Sequence, residues 1–325
     1  MTQILTARDL DVSLTLGGLL SALLPGSPLR INILQGISLS IGRQETLGLV
    51  GESGSGKTTL AKAILGLQPI SGGSLSFQGT PLTSPRAFAD LRRATAMMFQ
   101  DPVASLSPRM RVGALLTEPF VIHRVAMPDR GAHAAEMLTQ VGLPPGMATR
   151  YPHELSGGQA RRVCVARALA LNPALVIADE PTAGLDVSVQ GEILNLMAGL
   201  KDRLGLSFLV ISHNLSMVRH VTDRIAILYL GRLVETGPTP AVFAQPLHPY
   251  TQNLIASEPQ PDPRKRRADL AIRGEIPSVL RRPKGCEFHT RCAVAIDRCR
   301  HDAPILREIA PHRFVRCHVA TPPQS

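Results

Sequence analysis

The sequence predicts an α/β fold built on a parallel sheet, and three observations carry that expectation. The apolar stretch "ETLGLV" runs into a glycine-rich turn that opens a helix, "GESGSGKTTLAKAILGL". Two further apolar runs, "ALVIADE" and "LSFLVISH", have the length of buried strands. The helical stretch "VSVQGEILNLMAGLKDRLG" lies between them. Strands that alternate with helices in this way pack as a parallel sheet.

The elements follow in chain order. The first forty residues alternate apolar and polar side chains in places, as in "INILQGISLSIG", a pattern of antiparallel strands with turns. A middle region rich in Pro, Met and Arg runs from about Phe99 to Tyr151, with helical pieces such as "RGAHAAEMLTQVGL". "GGQARRVCVARALAL" is a strong helix in which Val163, Ala166 and Ala170 repeat on one face, and Cys164 reads as an ordinary core residue. "SEPQPDPRKRR" is a linker, and a cysteine-rich tail lies beyond it. No internal repeat is visible.

Bulk properties narrow the class. A chain of 325 residues with 44% hydrophobic side chains can build a core without a disulfide framework. "MTQILTARDLD" lacks the basic and apolar regions of a signal peptide. "VSLTLGGLLSALLPG" is too short to span a bilayer and breaks at Pro25 and Gly26. The expected compartment is the cytosol, where clustered cysteines suggest metal more than disulfides. The formal charge is +10, and residues 264–325 hold 14 Lys/Arg against 6 Asp/Glu. Only Phe288 and Phe314 could stack on bases there, so no nucleic-acid partner is expected. The run "PRKRRADLAIRGEIPSVLRRPKG" reads as a solvated linker first and a lipid-headgroup contact second.

The chemistry begins at "GESGSGKT", which fits G-x-x-x-x-G-K-[ST] between a strand and a helix, the setting of a P-loop. Gly51, Glu52, Ser53, Gly54, Ser55, Gly56 and Lys57, with Thr58 and Thr59, form the expected phosphate cradle. Backbone N–H groups and the helix N-terminus face the anion. Lys57 reaches the outer phosphates, and the Thr58 hydroxyl ligates Mg²⁺. The bland alternative, a Gly/Ser turn with a surface lysine, is disfavoured by the flanking strand and helix. Asp179, ending "LVIAD", can hold Mg²⁺ through water, and Glu180 beside it can polarise the attacking water. "LSGGQ", from Leu155 to Gln159, opens a helix as a second backbone anion site. Two such sites make sense if one serves the chain's own ATP and the other a partner's. His213 in "SHN", Gln100 in "FQDP" and Asp186 in "AGLD" complete the set.

Together these stretches resemble the nucleotide-binding subunit of an ABC transporter, in family order and over about residues 4–238. Gly51–Thr58 match Walker A, Gln100 the Q-loop, Leu155–Gln159 the signature, Asp179 and Glu180 Walker B, Gly184–Asp186 the D-loop and His213 the switch histidine. The resemblance implies a P-loop NTPase (ABC cassette) over residues 1–238. Its parts are a RecA-like parallel-sheet core, an N-terminal antiparallel β subdomain and a helical subdomain at about 100–165. Residues 239–325 form a small cysteine-rich C-terminal extension. It also implies ATP with Mg²⁺ held by Thr58, Gln100 and Asp179, and catalysis by Glu180, His213 and Gln100. In the implied head-to-tail dimer, Ser156, Gly157, Gly158, Gln159 and Asp186 meet the partner's nucleotide. Leu14 stands at or near the place where the family offers an aromatic residue to adenine.

"SLSPRMRVGALLTEP", "LHPYTQNLIAS" and "GCEFHTRC" extend the likeness to the ATPases of oligopeptide/dipeptide-type importers, and to the second of their two paired ATPases. The implied partners are a different ABC ATPase in a heterodimer, two transmembrane permeases and an extracytoplasmic solute-binding protein. The implied place is the cytoplasmic face of the cell membrane, as a peripheral subunit. Peptides are the usual cargo, while relatives carry nickel, glutathione or opines. A soluble ABC ATPase acting on ribosomes or DNA is the alternative. Such proteins usually fuse two cassettes or carry coiled-coil inserts, and one cassette with no heptad run is present. A non-hydrolysing scaffold is at odds with the intact Lys57, Asp179, Glu180 and His213.

Four cysteines remain, Cys286, Cys292, Cys299 and Cys317, spaced C-x₅-C-x₆-C-x₁₇-C. The absence of a C-x₂-C pair argues mildly against a zinc ribbon, and iron–sulfur sites also favour tight spacing, so spacing does not choose. His289, His301 or His318 could complete a Cys₃His zinc site. Similar tails in some peptide importer ATPases bind [4Fe–4S], which the resemblance therefore implies here, with zinc or free, loosely packed thiols as the alternatives. Lys284, Arg291, Arg298, Arg300 and Arg316 are expected to offset its negative charge.

Overall fold

A computed structural model describes residues 2–16, 29–99, 105–258 and 274–322, and the chain forms two compact units. The first comprises Met1–Ile4, Ile41–Thr46 and Phe77–Ile211. Its parallel strands are Thr95–Met98, Leu175–Asp179 and Ser207–Ser212, with Met98 opposite Ala178 and Asp179 opposite Ile211. All five residues of Leu175–Asp179 are buried, as a strand covered on both faces requires. The expected strands "LVIAD" and "SFLVIS" are both present. Thr95–Met98 is new, because four residues are too few to show a period.

Helices Val112–Ile122, Arg130–Gln140, Gly157–Leu169 and Val187–Leu204 belong to the same unit. Asp129 starts the second by accepting the Ala132 N–H at 2.9 Å, a side-chain cap that replaces a missing helical acceptor. Gly157–Leu169 departs from the expected single apolar face. Ala160, Val163, Cys164, Val165, Ala166 and Leu169 are all buried, which places core contacts around most of its circumference. Cys164 is a core residue, as expected.

The second unit comprises Leu5–Ser40, Leu47–Ser76 and Ser212–Ser325. In one of its sheets, strand Gln3–Leu16 is hydrogen-bonded between Leu29–Gly42 and Gly72–Phe77. In the other, Thr46–Val50 runs parallel to Arg224–Tyr229, with Val50 opposite Ile227. Arg232–Pro238 then pairs antiparallel with Arg224–Tyr229. Gly231 in the connecting turn has φ of 74°, and a Cβ there would lie 1.7 Å from the Ile33 carbonyl oxygen. Only glycine fits that approach.

The cysteine-rich tail adds strands to this sheet. Arg313–Val315 pairs with Arg232–Pro238, Glu235 opposite Val315, and Arg307–Ala310 follows as the next strand. Val315 and Cys317 pack with Leu247 against Ile309, Val319 and Ala320. The Glu235 carboxylate is wholly buried and accepts from the N–H groups of Leu247 (3.0 Å) and His248 (2.8 Å). It also accepts from Arg313 Nη2 at 3.0 Å, and the same nitrogen donates to the Gln245 carbonyl at 2.7 Å. Burial pushes the Glu235 carboxyl above its ordinary range, with the two backbone hydrogen bonds and Arg313 opposing.

Arg282 corrects the reading of "LRRPKG" as a solvated linker. Its guanidinium donates to the carbonyls of Leu230 and Asn32 and pairs with Glu287 at 2.7 Å. Most of the preceding basic run, residues 264–273, lies outside the described residues.

His248 supplies a test of the packing. It is buried, its Nδ1 accepts the Tyr250 N–H at 3.0 Å, and desolvation drives its pKa down to about 3. Between that value and the ordinary 6.5 the unfolded chain binds the proton and the folded chain does not. Stability therefore rises with pH across the window and is lost on acidification. Lowering the pH from about 7 to about 4.5 is expected to cost the wild type a few kcal/mol through this group. Urea unfolding of wild type and His248→Gln at both pH values checks it. An equal acid sensitivity in the variant would assign the effect to other groups.

Candidate functional site

The buried strand Thr46–Val50 delivers the glycine-rich loop directly to helix Lys57–Ile64. A Cβ at Gly51 would lie 2.2 Å from the Leu228 carbonyl oxygen, so the loop can turn there only without a side chain. Gly56, at φ of 105°, occupies the N-cap, and no side chain caps the helix. A helix start of this kind, in a glycine-rich loop, is a place where backbone N–H groups can bind an anion. Lys57 folds back on the loop, with Nζ donating to the carbonyls of Gly51 (2.7 Å) and Glu52 (2.9 Å). The Ser55 Oγ is buried without a hydrogen-bond partner among the described residues. A buried hydroxyl left unpaired in a phosphate-binding loop is a polar position for a ligand to satisfy. Thr58 is exposed and Thr59 half-buried.

His213 and Leu14 belong to this same unit. His213 is exposed just beyond strand Ser207–Ser212, and Asn214 beside it caps the next helix by accepting the Met217 N–H at 3.0 Å. Leu14 is 37% exposed near the end of its strand, an apolar side chain open to solvent. Gln100 lies outside the described residues.

In the other unit, Asp179 is buried at the end of its strand and Glu180 is half-buried. Glu180 has φ of 51°, a left-handed conformation that costs a non-glycine residue roughly 1–3 kcal/mol. The Glu180 N–H is tied to the Ile211 carbonyl at 2.8 Å, which helps hold that geometry. The turn that follows is gripped by Arg161, whose guanidinium donates to the carbonyls of Pro181 (2.5 Å) and Ala183 (2.6 Å). Arg161 sits on the helix that "LSGGQ" opens. One buried side chain thus ties that helix to the segment after the acidic pair. Motif reading missed this link, since an arginine between Ala160 and Arg162 carries no signal of burial.

Ser156 and Gln159 close their helix start reciprocally. Ser156 Oγ accepts the Gln159 N–H at 3.3 Å, and Gln159 Oε1 accepts the Ser156 N–H at 3.0 Å. This capping box leaves Ser156 and Gly157 exposed. Asp186 caps helix Val187–Leu204 by accepting the Val189 N–H at 3.0 Å. Its hydrogen bonds, that from the Ser188 hydroxyl first, hold its carboxyl below the usual range.

Residues 34–183 match the family described as "ABC transporter", and residues 234–299 match "Oligopeptide/dipeptide transporter, C-terminal region". The chain is 43% identical over 295 residues to the oligopeptide transport ATP-binding protein AppF of Bacillus subtilis, covering 89% of this chain and 90% of AppF. It belongs to the ABC transporter family. A Brucella abortus protein named for peptide import is 47% identical over 90% of this ABC chain and 88% of its own length. Among solved structures, cbiO1 of Clostridium perfringens, part of the ABC transporter complex cbiONQ, has a TM-score of 0.64. It is 26% identical over 75% of this chain and 92% of cbiO1. The dimeric ABC cassette MJ0796 has a TM-score of 0.62 at 26% identity, over 72% of this chain and 98% of MJ0796.

The cysteines of this ABC chain are all free thiols. The oligopeptide/dipeptide match reaches Cys299 and stops before Cys317. The Cys286 N–H donates to the Cys299 carbonyl at 2.8 Å, and the four thiols lie within electrostatic reach of one another. Burial raises Cys292 and Cys317 and pushes Cys286 up to about 11. Among the described residues, no group of three or more His, Cys, Asp or Glu is disposed to hold a metal ion. The expected charge offset is also partly committed elsewhere. Arg291 pairs with Glu52, Arg298 with Asp302, and Arg316 donates to the carbonyls of Leu233 and Pro304. Among the described residues, no helix is long and apolar enough to cross a membrane.

Proposed function

We propose that this chain is the ATP-hydrolysing subunit of an ABC importer for di- and oligopeptides, acting at the cytoplasmic face of the cell membrane. The observation that carries the reading is likeness over nearly the whole chain to proteins named for oligopeptide or peptide import. The division into a cassette over 1–238 and an importer-type extension over 239–325 belongs to the same reading. Its partners are a different ABC ATPase, two permeases and an extracytoplasmic solute-binding protein.

In this reading Lys57 leaves the Gly51 and Glu52 carbonyls for the outer phosphates of ATP, and the Ser55 hydroxyl and loop N–H groups bind the rest. Thr58, Gln100 and Asp179 would hold Mg²⁺, which would supply charge neutralisation at the phosphates. Glu180 polarises the attacking water, with His213 and Gln100 assisting. Ser156, Gly157, Gly158, Gln159 and Asp186 serve the partner's nucleotide, which requires the capping box to open or to tolerate the anion beside it. Co-expression with the permeases and partner ATPase in vesicles tests the function. ATP-dependent uptake of labelled peptides is expected. Uptake of another solute in place of peptides would assign the cargo differently, and ATPase activity stimulated by ribosomes or DNA would favour the soluble alternative.

The four thiols suit a soft metal centre in donor chemistry, although they are not arranged as a closed site. Cys286, Cys292, Cys299 and Cys317 would hold [4Fe–4S], with zinc as the alternative. Such a centre would supply folding energy to a segment with few large apolar residues. The raised thiol pKa values mean that protons must leave as metal binds. Anaerobically purified protein is expected to carry about four irons and four sulfides per chain. Cys→Ser at any of the four positions is expected to abolish this, while Cys164→Ser retains it. Stoichiometric zinc without iron would select the alternative.

A further inference from the structure

Glu52, the second residue of the Walker A loop, is held by groups far from it in sequence. Its carbonyl accepts Lys57 Nζ at 2.9 Å and the Ser55 N–H at 3.2 Å. Its own N–H donates to the Tyr250 hydroxyl at 2.9 Å. Its carboxylate forms a two-pronged pair with Arg291, Nη1 to Oε2 at 2.8 Å and Nη2 to Oε1 at 2.9 Å. Backbone donor, backbone acceptor and side chain are therefore all engaged.

Arg291 and Tyr250 are built into one buried aromatic group. The Arg291 guanidinium lies 5.8 Å from the Tyr229 ring centroid and 5.9 Å from that of Phe288. Tyr229 and Tyr250 have centroids 4.7 Å apart, and Tyr250 and Phe288 5.4 Å apart. The Arg291 side chain is only 4% exposed, so its direction is set by packing. Arg291 ends the short turn His289–Arg291, between Cys286 and Cys292. Gly285, at φ of 67°, lets this loop pass where a Cβ would stand 2.5 Å from the Cys299 carbonyl oxygen.

We propose that Arg291 and Tyr250 are positioning residues for ATP, through which the cysteine-bearing loop sets the affinity of the Walker A loop. The inference rests on the nucleotide-binding reading of that loop. Two physical effects support it. A bare carboxylate in a phosphate-binding loop repels the incoming anion, and Arg291 neutralises it through a two-pronged, charge-assisted pair. Pinning the Glu52 backbone also removes loop conformations before ATP arrives, so less freedom is lost on binding. Both effects act on ground-state binding, so they move KM and leave kcat in place.

Nucleotide titration and steady-state ATPase assays on the full chain in its assembled transporter test this. Arg291→Gln is expected to weaken ATP binding roughly tenfold with kcat little changed. Arg291→Lys is expected to recover part of the loss, because it restores the charge without the second prong. Tyr250→Phe, which keeps the ring packing, is expected to cost less. The deciding variant is Glu52→Gln with Arg291→Gln. Removing the carboxylate is expected to restore much of the affinity lost in Arg291→Gln, so the two substitutions couple. A double variant as weak as the sum of its single variants overturns the proposal, as does unchanged affinity in both Arg291→Gln and Tyr250→Phe. Failure of the wild type to bind ATP would instead overturn the nucleotide-site reading beneath it.

Discussion

Replacing Glu180 by glutamine is expected to leave ATP binding intact and to cut turnover by about 10²-fold or more. The amide matches the carboxylate in size and leaves Asp179 available to the metal, but it cannot draw a proton from the attacking water. The backbone supports so narrow a substitution. The Glu180 φ of 51° and its N–H bond to Ile211 do not depend on the side-chain charge. Strain at that residue is therefore retained in the variant and cannot account for a loss of rate. Lys57→Ala supplies the contrast, because it removes a phosphate ligand and weakens nucleotide binding itself. ATP hydrolysis and nucleotide titration in the assembled transporter measure both. Near-normal turnover in Glu180→Gln would remove that residue from the role assigned to it.

Arg313→Ala is expected to destabilise the chain by about 3–5 kcal/mol, because it strands the buried Glu235 carboxylate. Glu235 is 0% exposed, and the Leu247 and His248 N–H groups that would still bond it carry no full positive charge. Adding Glu235→Gln to Arg313→Ala is expected to recover part of the loss, since a neutral amide still accepts those N–H groups at less desolvation cost. Urea unfolding of the single and double variants reads both effects. A loss below about 1 kcal/mol would mean that the pair behaves as an exposed one and that water reaches the carboxylate.

The parts of the molecule that could be read from sequence are those whose chemistry is local. "GESGSGKT" binds phosphate through consecutive backbone groups, so the loop announces itself in eight neighbouring letters. "LVIAD" reads as a strand because full burial demands an unbroken apolar run. The partners of Arg161, Arg282 and Arg291 were hidden for the opposite reason. Each arginine is an ordinary cation in sequence, and each is committed by acceptors 20 to 250 residues away. The tail strands were equally hidden. Arg313–Val315 has three residues, too few for an alternating pattern, and it exists because Arg232–Pro238 offers an edge. The four cysteines were conspicuous as letters, yet their spacing does not state what they bind.

That late-made edge strand bears on how the protein is synthesised. Glu235 and Arg313 are separated by 78 residues. At about 5–20 residues per second, roughly 4–16 s of translation pass between them. Throughout that interval the nascent chain holds strand Arg232–Pro238 with an open row of backbone donors and acceptors, and a carboxylate awaiting its arginine. An uncovered edge of this kind recruits strands from other chains. Premature termination after residue 238 would make that exposure permanent. Shielding by a ribosome-associated chaperone would matter most in those seconds, and slow codons between residues 239 and 312 would lengthen the hazard.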